Sequence, residues 1–400
     1  MVDVSEVAAD SIAWRRHLHA HPELSFREHE TARFVRDTLA SFGGLEIECP
    51  TPTSVVARLR CGQPGHTLAL RADMDGLPIQ EESGVEFSSQ TNGAMHACGH
   101  DGHTAMLLAV ARLLVARRAE LGGEVRFLFQ HAEELPPGGA AELVAAGALE
   151  GVEAVVGCHL ISTLEVGKVA ALDGPCTAAA DTFSVTIHGQ GGHAAFPHKT
   201  VDPIAVGAQA ISNLQHVVSR NTPPLDSIVV SVTRIAGGTA DNVIPESIQF
   251  GGTVRTYRQE VRERTRETIA RILSGVTGAH GATYEFDYVV GYDPVINDPR
   301  LAGIVREVAG ADRVVEFDPL MAGDDFSAYL SVAPGCFFFV GAGDDTALAH
   351  HHPRFTIDER ALPVGIETLA RTVVRFLANG PNHPSPSAVR TTSPPAPQSP

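Results

Sequence analysis

The chain has 400 residues, of which 44% are hydrophobic and 19% are charged, a balance typical of a globular protein and not of a disordered or membrane chain. This length predicts two compact units instead of one core. The net charge of −17, with no run of basic residues longer than two, argues against a nucleic-acid partner.

The cysteines and the apolar stretches indicate where the protein is located. The six cysteines are scattered without close spacing, so we expect free thiols in a reducing compartment. Residues 1–26 lack the apolar region of a signal peptide. The apolar stretch at 336–340 is far shorter than the roughly 18 residues of a membrane-spanning helix. These features predict a cytoplasmic protein with no membrane partner.

The first half of the chain alternates between helical and extended patterns. Residues 11–42 have apolar positions at helical spacing, interrupted at Pro22. Short apolar runs then alternate with helical stretches; the runs lie at 66–70, 125–129, 154–157 and 336–340, and the helices at 104–119 and 140–146. This alternation predicts an α/β unit with a buried sheet flanked by helices.

A different order of elements interrupts this unit. We predict strand, helix, strand, strand, helix and strand at 182–188, 203–218, 227–235, 247–257, 260–273 and 283–290, which is the split ferredoxin-like α+β pattern. The first pattern resumes over 301–369, so the second unit is an insertion. We therefore assign residues 1–179 and 293–378 to a discontinuous catalytic domain and residues 180–292 to the inserted domain. Residues 379–400, rich in proline and serine, are predicted to be a disordered tail.

Acidic and imidazole side chains follow several predicted strands. Asp73 and Asp75 follow one strand, Glu133 and Glu134 another, and His159 a third. Ligands of open α/β sheets bind outside the carboxyl ends of the strands, so these residues predict one shared pocket. The histidine-rich loop at 96–103, directly before a helix, is expected in the same pocket.

Five residues are candidate metal ligands: Cys98, His100, Glu134, His159 and His351. This number suits two divalent ions per subunit, and the mixture of thiolate, imidazole and carboxylate favours Mn, Zn, Co or Ni over Mg or Ca. The alternative is that Cys98 is a small buried hydrophobic residue and each histidine an ordinary structural one.

Other residues are candidates for supporting the chemistry. Adjacent side chains on extended backbone point to opposite sides, so Glu134 could bind metal while Glu133 serves as general base. Asp75 and Asp101 are expected to orient the ligating imidazoles, with a helix cap as the alternative for Asp101. His193 follows a glycine-rich segment and could stabilise an oxyanion, unless that segment is a simple turn.

These motifs resemble the aminoacylase/carboxypeptidase family of metalloamidohydrolases, in the branch of hippurate hydrolases, N-acyl-amino acid amidohydrolases and auxin-conjugate hydrolases. The resemblance covers residues 14–375, through motifs at 21–25, 70–78, 96–103, 129–134, 191–194, 242–245 and 351–355. It implies a zinc-peptidase-like catalytic domain and an inserted domain that mediates dimerisation, as a homodimer or a dimer of dimers.

The resemblance also implies roles for individual residues. It assigns the five candidate ligands to the metals, Glu133 to general acid/base catalysis and His193 to oxyanion stabilisation. Asn242 and Arg255 match positions that hold the substrate's carbonyl or carboxylate, although Arg255 could instead be a solvated charge at a strand end. His131, residues 135–137 and Asp324 depart from the common pattern, which leaves the substrate preference open.

The expected reaction is hydrolysis of the amide bond of an N-acyl amino acid to a carboxylic acid and a free amino acid. A metallo-dipeptidase or carboxypeptidase is the alternative within the enzymes, because the same chemistry cleaves peptide bonds. A non-catalytic metal-binding protein is the alternative outside them. The presence of Glu133 beside Glu134 argues against that last possibility.

Overall fold

The computed structural model describes residues 3–380. The predicted tail, from residue 381 onward, lies outside the described residues, and Asn379 is the last residue of a helix instead of the first of a tail. In the described part no helix is both long enough and apolar enough to cross a membrane.

Strands and helices alternate along the chain. The strands are β1 (Glu46–Glu48), β2 (Val55–Arg60), β3 (Gln63–Asp73), β4 (Gly122–Gln130), β5 (Ala154–Glu165), β6 (Val169–Ala170), β7 (Gly174–Thr177), β8 (Ala179–His188), β9 (Gly192–His193), β10 (Ile228–Gly237), β11 (Val243–Ile244), β12 (Ser247–Thr256), β13 (Thr283–Tyr292), β14 (Val295–Asn297) and β15 (Gly335–Gly343). The α-helices are α1 (Ser5–Ala20), α2 (His29–Phe42), α3 (His100–Ala116), α4 (Gly139–Ala145), α5 (Pro203–Asn221), α6 (Gln259–Ala279), α7 (Pro299–Ala309), α8 (Ser327–Leu330) and α9 (Ala361–Asn379).

A seven-stranded mixed sheet forms the first unit, in the order β1-β2-β4-β3-β5-β15-β6. Its four central strands are parallel, and the outer strands are antiparallel to their neighbours. Leu68 and Leu70 of β3 belong to a core with α1, α2, α3, α7 and α9, whereas Ala69 packs with α4 and α8. Helices therefore cover both faces, which explains why the central strands appear in the sequence as continuous apolar runs.

A four-stranded antiparallel sheet, in the order β10-β12-β8-β13, forms the second unit, residues 179–292. Helices α5 and α6 share a separate apolar core with it that includes Phe183, Phe250 and Leu273. The order β8, α5, β10, β12, α6, β13 is the predicted one, and the predicted class of a mixed sheet flanked by helices is confirmed. That this unit mediates dimerisation stays a prediction.

Candidate active site

The five candidate ligands lie together at one edge of the first sheet. The donor atoms of Cys98, His100 and His159 are within 4.8 Å of one another, and so are those of Cys98, Glu134 and His351. The Sγ of Cys98 is 3.4 Å from Nε2 of His159, and Oε1 of Glu134 is 3.1 Å from Nε2 of His351. Two groups of three donors that share Cys98 fit a pair of ions.

Local backbone geometry brings the donors to this edge. Cys98 and His100 flank Gly99, whose φ of 92° is left-handed and readily adopted by glycine, and α3 begins at His100. His159 lies within β5, and Glu134 is in the loop that follows β4. His351 has a φ of 66°, an uncommon conformation for a residue with a side chain.

The donor chemistry of His100 suits a cation. Its Nε2 is buried and has no hydrogen-bond partner among residues 3–380, while its Nδ1 is 2.9 Å from the main-chain oxygen of Asp75. Burial opposes a charge on the ring, but Asp73, Asp75 and Glu134 together raise the pKa of His100 to about 10. The carboxylates thus favour positive charge at this place, which a metal ion can supply in place of a proton.

Cys98 and His159 complete the same group of donors. Burial, followed by the negative charge of Glu134, raises the pKa of the Cys98 thiol well above its usual value, so the thiolate needs a cation beside it. Burial and neighbouring imidazoles hold the pKa of His159 well below its usual value. The neutral ring can donate through Nδ1 to the carbonyl of Leu160, 2.9 Å away, which leaves the lone pair of Nε2 facing Cys98.

Asp75 contacts two of the candidate ligands, as the sequence predicts for an orienting residue. Its Oδ1 is 3.2 Å from Nδ1 of His100, and its Oδ2 accepts hydrogen bonds from the main-chain nitrogen of Glu134 at 3.0 Å and from Oγ of Ser25 at 2.7 Å. One buried carboxylate therefore contacts the imidazole of one candidate ligand and the backbone of another, as an orienting residue would.

Glu133 lies among carboxylates. Its Oε2 is 3.9 Å from Nε2 of His100, and a carboxylate oxygen of Glu133 lies within 4.8 Å of oxygens of Asp324 and Asp325. Burial, followed by the charges of Asp324 and Glu134, raises the pKa of Glu133 well above its usual value. Cations bound at the neighbouring donors would offset these negative charges and leave the Glu133 carboxylate ionised, as a general base requires.

The sequence reasoning missed a buried network behind the site. Arg71 lies 2.7 Å from Asp73 and 2.9 Å from Asp325, and Asp73 is 2.6 Å from Nδ1 of His103. The other ring nitrogen of His103 accepts from the backbone of Leu160, so this histidine holds β5 against α3. The adjacent pair Asp324-Asp325 was the available signal. If such a pair is buried and not on an exposed helix face, its carboxylates must be paired with a buried positive charge.

The prediction for Asp101 was wrong. Its Oδ2 is 3.0 Å from Nε of Arg15 and 2.9 Å from Nδ1 of His19, both on α1, and it neither caps α3 nor contacts a candidate ligand among the described residues. As the second residue of α3, it points away from the donor atoms. Its buried charge is neutralised by the arginine and histidine instead.

The remaining candidates lie on the second unit. His193 is exposed and pairs with Val243 between the short strands β9 and β11, and the main-chain oxygen of the exposed Asn242 accepts from Ala194. Arg255 is half-buried on β12, with Nη1 3.4 Å from the carbonyl of Asp181. Within residues 3–380 no hydrogen bond or ion pair connects these three residues to the metal-donor cluster. The structure therefore brings the five candidate ligands and Glu133 together but leaves His193, Asn242 and Arg255 apart from them.

A cluster of thiol, imidazole and carboxylate donors at the carboxyl ends of parallel strands, beside a buried glutamate, is the arrangement of a metal-dependent hydrolase. Residues 69–375 match peptidase family M20/M25/M40, and the chain belongs to this family.

Curated relatives and solved structures agree with this membership. The chain is 57% identical over 304 residues, 75% of its length, to an N-acyl-L-amino acid amidohydrolase of Geobacillus stearothermophilus, covering 82% of that protein. It is 39% identical to thermostable carboxypeptidase 2 of Saccharolobus solfataricus, over 94% of this chain and 97% of that one. The crystal structure of Bacillus subtilis YXEP, a dinuclear metal binding peptidase, superimposes with a TM-score of 0.83 at 38% identity, covering 94% of this chain and 99% of that one.

Proposed function

We propose that this protein hydrolyses the amide bond of N-acyl amino acids, with two divalent metal ions held by Cys98, His100, Glu134, His159 and His351. The adjacency of Glu133 and Glu134 carries the proposal: Glu134 shares a donor group with Cys98 and His351, and a carboxylate oxygen of Glu133 lies within 4.8 Å of donor atoms of His100 and Glu134, close enough to act on water at this site. The similarity to the Geobacillus N-acyl-L-amino acid amidohydrolase supports this substrate class.

The reaction divides between the metals and the protein. When bound, the ions act as Lewis acids that polarise the amide carbonyl and lower the pKa of water to about 7. Glu133 takes the proton of the attacking water and returns it to the nitrogen of the leaving amino acid. Asp75 keeps His100 and Glu134 oriented throughout. The products are a carboxylic acid and a free amino acid, so no other reactant is needed.

Arg255 is the proposed recognition residue for the free carboxylate of the substrate. Its guanidinium is half-buried, and no carboxylate of the described residues lies within 4.0 Å of it. The charge of Asp181 acts on its pKa less strongly than burial does. Burial lowers the pKa of Arg255, which means that its charge is partly desolvated and gains from an incoming anion. Asn242 is proposed to hold the substrate's carbonyl.

His193 is proposed to stabilise the oxyanion in the active site of a second copy of the chain. Two observations support this: His193 is exposed and apart from the donor cluster of its own chain, and Phe196 and Val243 beside it are 50% and 48% exposed. Exposed apolar side chains around a candidate catalytic histidine are typical of an interface between two copies of a chain. A homodimer through residues 180–292 would thus complete each site.

Two finer assignments accompany the function. Free thiols at all six cysteines support the proposed cytoplasmic location. The donor set of thiol, imidazole and carboxylate supports Mn, Zn, Co or Ni as the resident metals. Elemental analysis of the purified protein identifies which of them is bound.

Glu133→Gln tests the catalytic proposal. The variant should lose at least about 10²-fold in turnover while its metal content stays at two ions per subunit, because the amide cannot act as a base but leaves the ligands in place. The wild-type protein is assayed against N-acyl amino acids and against dipeptides. A preference for dipeptides would favour a peptidase, as the name of the Saccharolobus relative suggests. Retained turnover in Glu133→Gln would exclude Glu133 as the base.

Mixing two inactive variants tests the shared site. Glu133→Gln and His193→Ala are unfolded together and refolded as a mixture. If His193 acts in the partner's site, each mixed dimer regains one intact site, and random pairing restores about a quarter of the wild-type activity. No recovery, with mixed dimers present, would place His193 in the site of its own chain or outside catalysis.

A further inference from the structure

The loop that carries Glu133 and Glu134 is held by hydrogen bonds to its backbone. The main-chain nitrogens of Ala132, Glu134 and Ala140 donate to carboxylates of Glu28, Asp75 and Asp325, at 2.8, 3.0 and 3.0 Å. All three carboxylates belong to the first unit. The carbonyl of Glu133 is held differently, because it accepts a hydrogen bond from the hydroxyl of Tyr292, at 2.8 Å. Tyr292 is the last residue of β13, and so belongs to the second unit.

A β-bulge directs Tyr292 toward this loop. Val289 pairs with Thr182 of β8 and Tyr292 pairs with Ala180, so Val290 and Gly291 together oppose Asp181 alone. Side chains alternate between the two faces of a sheet, and one extra residue therefore reverses the face on which Tyr292 lies. In a regular strand its ring would point away from Glu133.

Contacts within the second unit fix the bulge. The Oδ1 of Asp181 accepts from the main-chain nitrogen of Gly291 at 2.9 Å, and a side chain at Gly291 would overlap the carbonyl oxygen of Ala180. Arg262 of α6 donates through Nη2 to the carbonyls of Gly291 and Tyr292, at 3.0 and 3.3 Å. Its Nε also donates to Oδ2 of Asp181, at 2.8 Å. The position of Tyr292 is thus set by the second sheet and by α6.

The loop is shaped to receive the tyrosine. Gly138 has a φ of 83°, and a Cβ added there would lie 3.0 Å from the hydroxyl of Tyr292 and would overlap a carboxylate oxygen of Asp325. The absence of a side chain at Gly138 therefore lets the hydroxyl and the carboxylate approach the loop from two sides. Burial and nearby carboxylates, Asp325 first, raise the pKa of Tyr292, so the hydroxyl keeps the proton that it donates.

We propose that Tyr292 is a positioning residue that holds the general base in place and makes the placement of Glu133 depend on how the second unit sits on the first. The inference rests on the proposed role of Glu133. Within residues 3–380 the hydroxyl of Tyr292 makes its hydrogen bond to the main chain of Glu133 and none to a candidate metal donor. It acts through the main chain of Glu133. The hydrogen bond to the carbonyl fixes the orientation of this part of the backbone and therefore the direction in which the Glu133 side chain points.

Tyr292→Phe tests this role because it removes only the hydroxyl. We expect kcat to fall about five- to tenfold, the loss that one buried hydrogen bond corresponds to, with KM and metal content unchanged. Hydrogen exchange of the peptide spanning residues 131–140 should become faster in the metal-loaded variant. Tyr257→Phe is the matched control, because Tyr257 also belongs to the second unit and donates to a main-chain carbonyl of the first, that of Pro319, at 2.8 Å.

A double variant separates this inference from the proposed function. In the Glu133→Gln background, adding Tyr292→Phe should change the residual rate less than twofold, because the group that Tyr292 positions is already lost. Equal kcat and exchange in Tyr292→Phe and Tyr257→Phe would overturn the inference, as would an undiminished effect in the Glu133→Gln background. Retained activity of Glu133→Gln itself would instead overturn the proposed function, and the exchange measurement would still report whether Tyr292 holds the loop.

Discussion

Asp75 offers the sharpest test of how the metal donors are held. Its carboxylate receives three donors, from His100, Ser25 and the main chain of Glu134. Asp75→Asn keeps the shape but replaces one oxygen by an NH₂ group, which must then face at least one of these donors. The main-chain oxygen of Asp75 remains 2.9 Å from Nδ1 of His100 and preserves the orientation of that ring. The amide oxygen can keep the two donors at Oδ2, Glu134 and Ser25, so the NH₂ group faces His100 and the loss is limited to the side-chain contact with that ring.

The expected magnitude follows from this partial replacement. Loss of a residue that orients ligands costs about 10- to 100-fold in metal affinity, and the retained contact with His100 places Asp75→Asn near the lower end. We expect a loss of about tenfold, or about 1.4 kcal/mol, measured by competition with a chelator of known affinity. At saturating metal, turnover should stay within a few-fold of the parent.

Asp101→Asn is the matched control. It makes the same chemical change in the residue next to His100, but its partners are Arg15 and His19. Metal affinity should stay within about twofold, while the lost charge pairing lowers the stability of the fold by about 3 kcal/mol or more. If both variants lose metal affinity equally, the effect comes from general destabilisation. If Asp75→Asn binds metal as tightly as the parent, Asp75 does not orient the ligands.

Three further predictions follow. Arg255→Ala should reduce activity on N-acyl amino acids by about 2 kcal/mol or more and leave the corresponding amino-acid amides nearly unaffected; an equal loss on both substrates would rule out carboxylate recognition. Alkylation of Cys98 should be blocked by bound metal and appear after chelation, while the exposed Cys49 reacts equally in both states; mass spectrometry of the labelled peptides measures this, and metal-independent labelling of Cys98 would contradict its role as a ligand. Burial, followed by the charge of Asp75, raises the pKa of Glu28 to about 7 from 4.5, so the metal-free protein loses stability as pH rises through this window. Glu28→Gln should therefore raise the free energy of unfolding by up to about 3 kcal/mol at pH 8 but change it little at pH 4. An equal change in unfolding free energy at both pH values would refute the shift.

Much of the fold follows from local patterns in the sequence. The apolar periodicity that defines α3 or β4 depends on neighbouring residues alone, and so it could be recognised without the structure. The convergence of Asp75, Glu134 and His159 could also be anticipated, because parallel strands bring their carboxyl ends to one edge of a sheet.

What could not be predicted depends on residues far apart in the chain. Asp101 was assigned by its proximity to His100, but its partner Arg15 is 86 positions away. The bulge that directs Tyr292 arises from pairing with β8, about a hundred residues earlier, and no local pattern marks it. The placement of His193 relative to the donors likewise depends on how two separate cores meet, about which periodicity carries no information.

The position of β15 between β5 and β6 has a consequence for biosynthesis. A nascent chain that has not yet reached Gly335 lacks the strand that pairs with β5 and with β6. Meanwhile β8 through β13 already contain the whole second sheet and can fold on the ribosome. Until β15 is synthesised, the edge of β5 in the first part of the chain therefore stays unpaired. An unpaired apolar strand edge is a template for aggregation. Overproduction should be limited by this interval, and slower synthesis or a chaperone that shields strand edges should raise the yield of folded protein.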